Sequence, residues 1–384
     1  PWDDDAPVET YARPLRALLE DAVAERLPDS GPTALLLSGG LDSSAITALA
    51  ARAAPGPLHT FSISFGPQYR NELPFSRMVA GHCRTRHTEL VVSGTDVAAH
   101  LEETTARLDG PIGDPLTVPN FLLDRAAGQV SDVVLNGEGG DPCFGGPKNP
   151  AMLLHELYGD AGSGRAARER SYLRSYQKCY DDLPHLLTTR AQHQLAGQPP
   201  QEGLLTPYFA APGIASYLNL LTNINIRLKG SHQILYKVDR MTAAWGLEGR
   251  SPLFDRRVPE FSFGVPPHFK RAGNEEKFVL KRAVWDLLPE PILTRPKSGM
   301  LVPVQGWFRG ELKPLATDLL LGKRARQRDI IDQRLIRTWL DYRGSLFPRQ
   351  GVKLWLVLAL ELSLRLLIDA PRDTPVLPAA GRGL

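Results

Sequence analysis

Leu35-Leu36-Leu37-Ser38-Gly39-Gly40-Leu41-Asp42-Ser43-Ser44 is the stretch on which the fold turns. Three leucines read as the end of a parallel strand buried on both faces. Ser-Gly-Gly then makes a tight turn, expected to leave its backbone amides open. From Asp42 onward, Ser43, Ser44, Ala45, Ile46, Ala48 and Leu49 read as the start of a helix. Strand, glycine turn and helix N-terminus together make an anion site, because free N–H groups converge there and the helix dipole favours negative charge. Asp42 would repel a phosphate by itself, so its natural role is to hold a Mg²⁺ that neutralises phosphates. The bland alternative is an ordinary strand-to-helix turn with an aspartate at the helix start. Two glycines alone would not displace that reading, but the whole SGGLDSS string behind an apolar strand is far more specific. No GxxxxGK[ST] string occurs in the chain, so this is not the Walker type of phosphate loop.

Outward from this stretch, the pattern alternates. Leu15, Leu18, Leu19, Ala22, Val23 and Leu27 precede it at helical spacing, and Pro28 and Gly31-Pro32 end that helix. Residues 58–65 alternate and are β-rich, which predicts a second strand. A helix over 72–82, a strand over 87–92 and a helix over 96–108 follow. A Pro/Gly-rich loop at 110–115 leads to a helix over 119–127 and a fourth strand at 133–135. Strands alternating with helices predict an α/β fold with a doubly wound parallel sheet and ligands at the strand carboxyl ends. Past residue 150 the pattern changes to long amphipathic segments at 151–158, 166–180, 214–228 and 354–368. The expected organisation is an α/β region over 1–150, a mainly helical region over 151–370 and a disordered tail over 371–384, rich in Pro and Gly.

A second glycine turn stands at the end of the fourth strand: Asn136-Gly137-Glu138-Gly139-Gly140-Asp141, then Phe144-Gly145-Gly146. Its glycines let backbone approach a ligand. In a doubly wound sheet it opens onto the same crevice as Ser38–Ser44. A polar loop is the plain alternative, but two such loops at two strand ends outweigh it.

Composition sets bounds. The 384 residues suffice for one large or two ordinary domains, and the formal net charge of +3 makes no electrostatic case for a nucleic-acid partner. Cys83, Cys143 and Cys179 are odd in number and far apart, which argues against a disulfide framework and a CxxC site and fits a reducing, cytoplasmic setting. The most apolar run, 354–360, is too short to span a bilayer, so no membrane partner is expected. The histidines form no metal-spaced pair, which argues against zinc. The chain opens on Pro1 rather than Met, leaving room for residues upstream.

The SGGLDSS loop resembles the pyrophosphate loop of ATPases that cleave ATP between the α- and β-phosphates. Other motifs narrow the resemblance. The GEGGD…FGG block is similar to the GEG-x-D…FGG block of the asparagine synthetase family. Lys237-Val238-Asp239-Arg240-Met241, then Leu247-Glu248, Arg250, Pro252 and Asp255, resembles that family's KVDRM…LE-x-R-x-P-x-x-D segment. Glu276-Lys277-x-x-Leu280, Arg295-Pro296-Lys297-Ser298-Gly299-Met300, Val302-Pro303 and Trp307-Phe308 continue it. One departure stands out: an acidic residue commonly follows the GEG-x-D aspartate, whereas Pro142 and Cys143 follow here. Asparagine synthetase proper also carries an N-terminal glutaminase domain with a terminal Cys nucleophile, and the expectation here is a synthetase without one. β-Lactam synthetases and lasso-peptide cyclases share the synthetase fold. The former have a Tyr where this chain has Glu138, which favours intermolecular or peptide amidation over that ring closure.

The resemblance implies roles. ATP phosphates would lie on Ser38, Gly39, Gly40, Leu41, Asp42, Ser43 and Ser44, with adenine against backbone near Leu37, Ile63, Asn136 and Gly137. Asp42 and Asp141 would hold Mg²⁺. A substrate carboxylate would attack the α-phosphorus and expel pyrophosphate, and an amine or ammonia would capture the acyl group. Lys297 matches the family's catalytic lysine. Glu138 is the candidate base for the amine; its ordinary pKa of ~4.3 is low for that task, so burial has to raise it. A separate glutaminase or a carrier protein is a possible partner. Glu72 reads equally as a surface residue or a site residue, and Asp239 with Arg240 equally as a structural ion pair beneath the site or as part of its machinery. An adenylating tRNA-modifying enzyme is the enzymatic rival; the absent CxxC and small net charge oppose it. A non-catalytic nucleotide-binding subunit is the rival from another class; only Pro142-Cys143 favours it.

Overall fold

A computed structural model describes residues 5–146, 152–154, 164–176, 178–214, 216–296, 299–343 and 349–369. Lys297, the expected tail over 371–384 and most of the expected helix at 151–158 lie outside these residues.

The leucine-rich stretch does form a strand, β1 (Thr33–Leu36), and Gly40 begins the next helix, α2 (Leu41–Ala53). The expected strands follow as β2 (Leu58–Ser64), β3 (Arg86–Val91) and β4 (Val133–Leu135). The helices between them are α3 (Leu73–His82), α4 (Gly94–Ala106) and α5 (Thr117–Gly128), with α1 (Glu9–Ala24) ahead of β1. α4 starts at Ser93 because Ser93 and Asp96 cap each other reciprocally: Ser93 Oγ accepts from the Asp96 amide at 3.1 Å, and the Ser93 amide donates to Asp96 Oδ2 at 2.8 Å.

The sheet is all parallel, in the order β3-β2-β1-β4-β5. Its edge strand β5 (Glu248–Arg250) comes from the region read as helical; no apolar run announces Glu-Gly-Arg, and it is extended because it pairs with β4. Strand alternation divides the sheet's residues between two cores. Ala34, Phe61, Ile63 and Val134 face one, with Phe121 of α5; Leu35, Leu37, Val133 and Leu135 face the other, with Leu15, Leu19 and Ile46. The strand order reverses between β1 and β4, so a crevice opens where their carboxyl ends part.

The rest is mainly helical, with its own small core around Met152, Tyr172, Phe209 and Leu221. The segment expected at 214–228 is longer: an α-helical Tyr217–Ile224 runs through a π-helical Asn225–Leu235 into Tyr236–Ala243. The segment expected at 166–180 ends at Tyr176, and the last begins at Gln350 and ends in a π turn at Leu364–Ile368. No helix among the described residues is long and apolar enough to cross a membrane.

Candidate active site

The loop after β1 is held by its own serines. The Ser38 amide donates to Ser43 Oγ at 3.1 Å, and the Gly40 amide to Ser38 Oγ at 3.3 Å. The expectation of open amides therefore fails for Ser38 and Gly40: small hydroxyls in the loop satisfy them. Leu37 lies at the end of β1, where Ser62 Oγ donates to its carbonyl, and the Ile63 side chain packs in the core. Gly39 has φ +75°, and a Cβ there would stand 2.7 Å from the Ser76 amide nitrogen. Only glycine fits both constraints.

Close approach also explains the second loop, which continues from β4 into a short helix, α6 (Gly140–Phe144). A Cβ on Gly137 would run into the backbone of Ser43, and one on Gly140 into the Asp42 carboxylate. The glycines thus let the loop after β4 lie directly on the loop after β1, as the expected shared crevice requires. Asn136 fastens the turn. Its Oδ1 accepts from the Glu138 amide at 3.0 Å and from Ser251 Oγ at 2.9 Å, while its buried Nδ2 has no hydrogen-bond partner among the described residues.

Asp42 and Asp141 converge on one cation, the ammonium of Lys277. Nζ lies 2.5 Å from Asp42 Oδ2 and pairs with Asp141 Oδ1 as well. Lys277 is 1% exposed. Burial pulls its pKa down, but the two carboxylates outweigh that and hold it above the ordinary lysine value. The two carboxylates also suit Mg²⁺: they are hard donors, and the ion commonly takes one or two carboxylates while phosphates and water complete its shell. The missing side chain of Gly140 lets the Asp42 carboxylate lie directly against the second loop. Among the described residues, no three His, Cys, Asp or Glu side chains group as a metal site.

Glu138 is partly buried, with Lys237, Asp141 and Asp114 close enough to act on its charge. Desolvation raises its pKa, Lys237 opposes the shift, and Asp141 and Asp114 reinforce it. Burial therefore acts in the direction a base for an amine needs. Lys237 is itself buried and pairs with Asp114 Oδ2 at 2.6 Å. Asp124, 2% exposed, is pushed by burial to about 8 despite Lys237.

Arg295 ties the segment before Lys297 to the crevice. It donates to the Gly39 carbonyl at 3.0 Å, pairs with Glu72 at 2.6 Å and stacks 3.8 Å over the Phe75 ring. Glu72 is thus a partly buried partner of Arg295 beside the loop. Arg240 pairs with Asp109 rather than with Asp239. Pro142 and Cys143 are buried in α6, where the Cys143 thiol faces the Leu253 carbonyl at 3.9 Å. Sequence reasoning gave Lys237, Lys277, Asp114 and Arg295 no role. Their only signal was membership of matched motifs or, for Asp114, a place in the Pro/Gly loop.

Comparison with known proteins places the chain among relatives. The chain is 30% identical over 321 residues to a putative glutamine-hydrolyzing asparagine synthetase of Mycobacterium tuberculosis, covering 78% of this chain and 49% of that protein. It is 25% identical over 344 residues to the glutamine-hydrolyzing asparagine synthetase 1 of Bacillus subtilis, covering 82% of this chain and 54% of that protein. A carboxyethyl-arginine β-lactam synthase of Streptomyces clavuligerus is 28% identical over 289 residues, covering 74% of this chain and 43% of that protein. The chain thus spans about half the length of the curated relatives it matches. The asparagine synthase family model matches residues 14–365, which takes in both glycine loops, the Asp42–Lys277–Asp141 cluster and the Arg295 tie, and the chain belongs to that family.

Proposed function

We propose that this chain is an ATP-dependent ligase that adenylates a substrate carboxylate, releases pyrophosphate and passes the acyl group to an amine or ammonia. The observation that carries the reading is the meeting of Asp42 and Asp141, from two glycine loops, at the crevice where the strand order reverses. Glu138, with its raised pKa, stands on the same turn.

ATP phosphates would lie along Ser38–Ser44, with the adenine near Leu37, Ile63, Asn136 and Gly137; the unpartnered Asn136 Nδ2 is a donor available to it. Mg²⁺ held by Asp42 and Asp141 would offset phosphate charge. The carboxylate substrate needs no base to attack at neutral pH, so the chain's task in that step is positioning and charge compensation. Lys297 is the proposed source of positive charge there; two residues before it in sequence, Arg295 donates to the Gly39 carbonyl. In the second step the attacking amine must lose a proton, and Glu138 is the proposed acceptor. Activity should fall as pH drops through the raised Glu138 pKa, because a protonated carboxyl cannot act as a base. A carboxylate at 138 rather than a phenol supports an intermolecular or peptide amine over β-lactam closure.

Pyrophosphate–ATP exchange, screened with candidate carboxylic acids, tests the reading. AMP and pyrophosphate are expected products, and ADP with phosphate would overturn it. Asp42→Asn and Asp141→Asn should each lower exchange by roughly 10²–10³-fold, the scale for losing one electrostatic stabiliser.

A further inference from the structure

The ammonium of Lys277 occupies the position between the two proposed metal carboxylates. The oxygens it contacts, Asp42 Oδ2 and Asp141 Oδ1, belong to the two carboxylates that would hold the metal. With Lys277 in place the trio carries one net negative charge instead of two. A divalent ion approaching it meets a fixed cation at close range, in surroundings that screen charge poorly. Lys277 is also held in place by backbone. It sits in the left-handed region at φ 55°, ψ 34°, between the strand Glu275–Glu276 and the helix Phe278–Ala283. That conformation is costly for a residue with a side chain, and such strain persists where the surroundings enforce it. A lysine, unlike an arginine, is a point charge on a flexible stem, so its head group can shift while the stem stays buried.

We propose that Lys277 is a positioning residue that excludes the divalent cation from Asp42 and Asp141 until a nucleotide polyphosphate enters the crevice. The polyphosphate brings negative charge that ammonium and metal can share, so metal and nucleotide bind together rather than in either order. The inference rests on the reading of Asp42 and Asp141 as the metal pair.

The test is Mn²⁺ binding to the nucleotide-free protein, followed by calorimetry and by the electron paramagnetic resonance signal of free Mn²⁺. Lys277→Met and Lys277→Gln should bind Mn²⁺ at least about tenfold more tightly than wild type, a shift of about 1.4 kcal/mol. Lys277→Gln keeps a hydrogen-bond donor and guards against a Met variant that does not fold. Wild-type protein gives a second readout that needs no variant. Its melting temperature should be unmoved by Mg²⁺ alone, and raised more by Mg²⁺ with ATP than by ATP in a chelator. If Mg²⁺ alone stabilises wild type as fully as Mg²⁺ with ATP, or if the variants bind Mn²⁺ no better than wild type, the exclusion is refuted while the metal pair stands. If Mg²⁺ adds nothing to ATP and Mn²⁺ binds none of the three proteins, the metal pair itself is wrong and the inference falls with it.

Discussion

Lys270 and Lys277 flank one small antiparallel ribbon, Arg271–Ala272 with Glu275–Glu276, and both are buried. Their surroundings differ. Lys277 faces the sheet half and two carboxylates. Lys270 faces the helical half: its Nζ donates to Asn219 Oδ1 at 2.7 Å and lies 5.6 Å from the centre of the Phe263 ring. Burial alone lowers Lys270 to about 7, whereas Asp141 and Asp42 keep Lys277 above the ordinary value against the same penalty. Desolvation thus acts alike on both sides of the ribbon, and the presence of carboxylates decides which lysine keeps its proton. The lysine held charged by carboxylates lies at the crevice, and the other lies between Asn219 and the Phe263 ring.

The largest effect expected concerns the carboxylate caught in the same contest, Glu138. Glu138→Gln should reduce amide formation by roughly 10²–10⁴-fold, the loss for a positioned base, and leave pyrophosphate–ATP exchange intact. Equal loss of exchange would make Glu138 a binding or structural residue and remove it from the second step.

Next comes a direct break of the comparison in chemical denaturation. Lys277→Met removes the buried ammonium that Asp42 and Asp141 share and should cost up to about 3–5 kcal/mol, less where the half-exposed Asp141 keeps its contact with water. Lys270→Met strands only the Asn219 oxygen and should cost no more than about 1–3 kcal/mol, offset by the removed desolvation penalty. Equal losses would show that the carboxylates do not distinguish the two sites.

The smallest effect per step of the measurement is a slope. The folded-state pKa of Lys270, about 7, lies below its unfolded value, so between the two the unfolded chain binds more protons. Stability should therefore rise with pH above about 7, by about 1.4 kcal/mol per pH unit until the unfolded lysine titrates near 10. Lys270→Met should remove this contribution. Denaturation midpoints from pH 7 to 9.5 check it, and an unchanged slope in the variant means that Lys270 stays protonated.

The sequence by itself determined β1 to β4, the two glycine loops and the family. These signals are local: apolar runs make strands, glycine turns follow them, and the motifs occur in order. Glu138, Asp42 and Asp141 were legible as candidates for the same reason, since each lies in the loop or the first helical turn that follows a strand. Only tertiary structure decided the rest. Glu248-Gly249-Arg250 carries no strand pattern, and β4 imposes its extended form through pairing. Nothing local foretells the π turn at Asn225–Leu235, because the polar residues Arg227, Lys229 and Ser231 interrupt the apolar period. Lys270 and Lys277 read alike in a one-dimensional chain. Their charge states differ because desolvation and Coulomb attraction depend on what the fold brings within a few ångströms: a lone amide for one, two carboxylates from distant loops for the other.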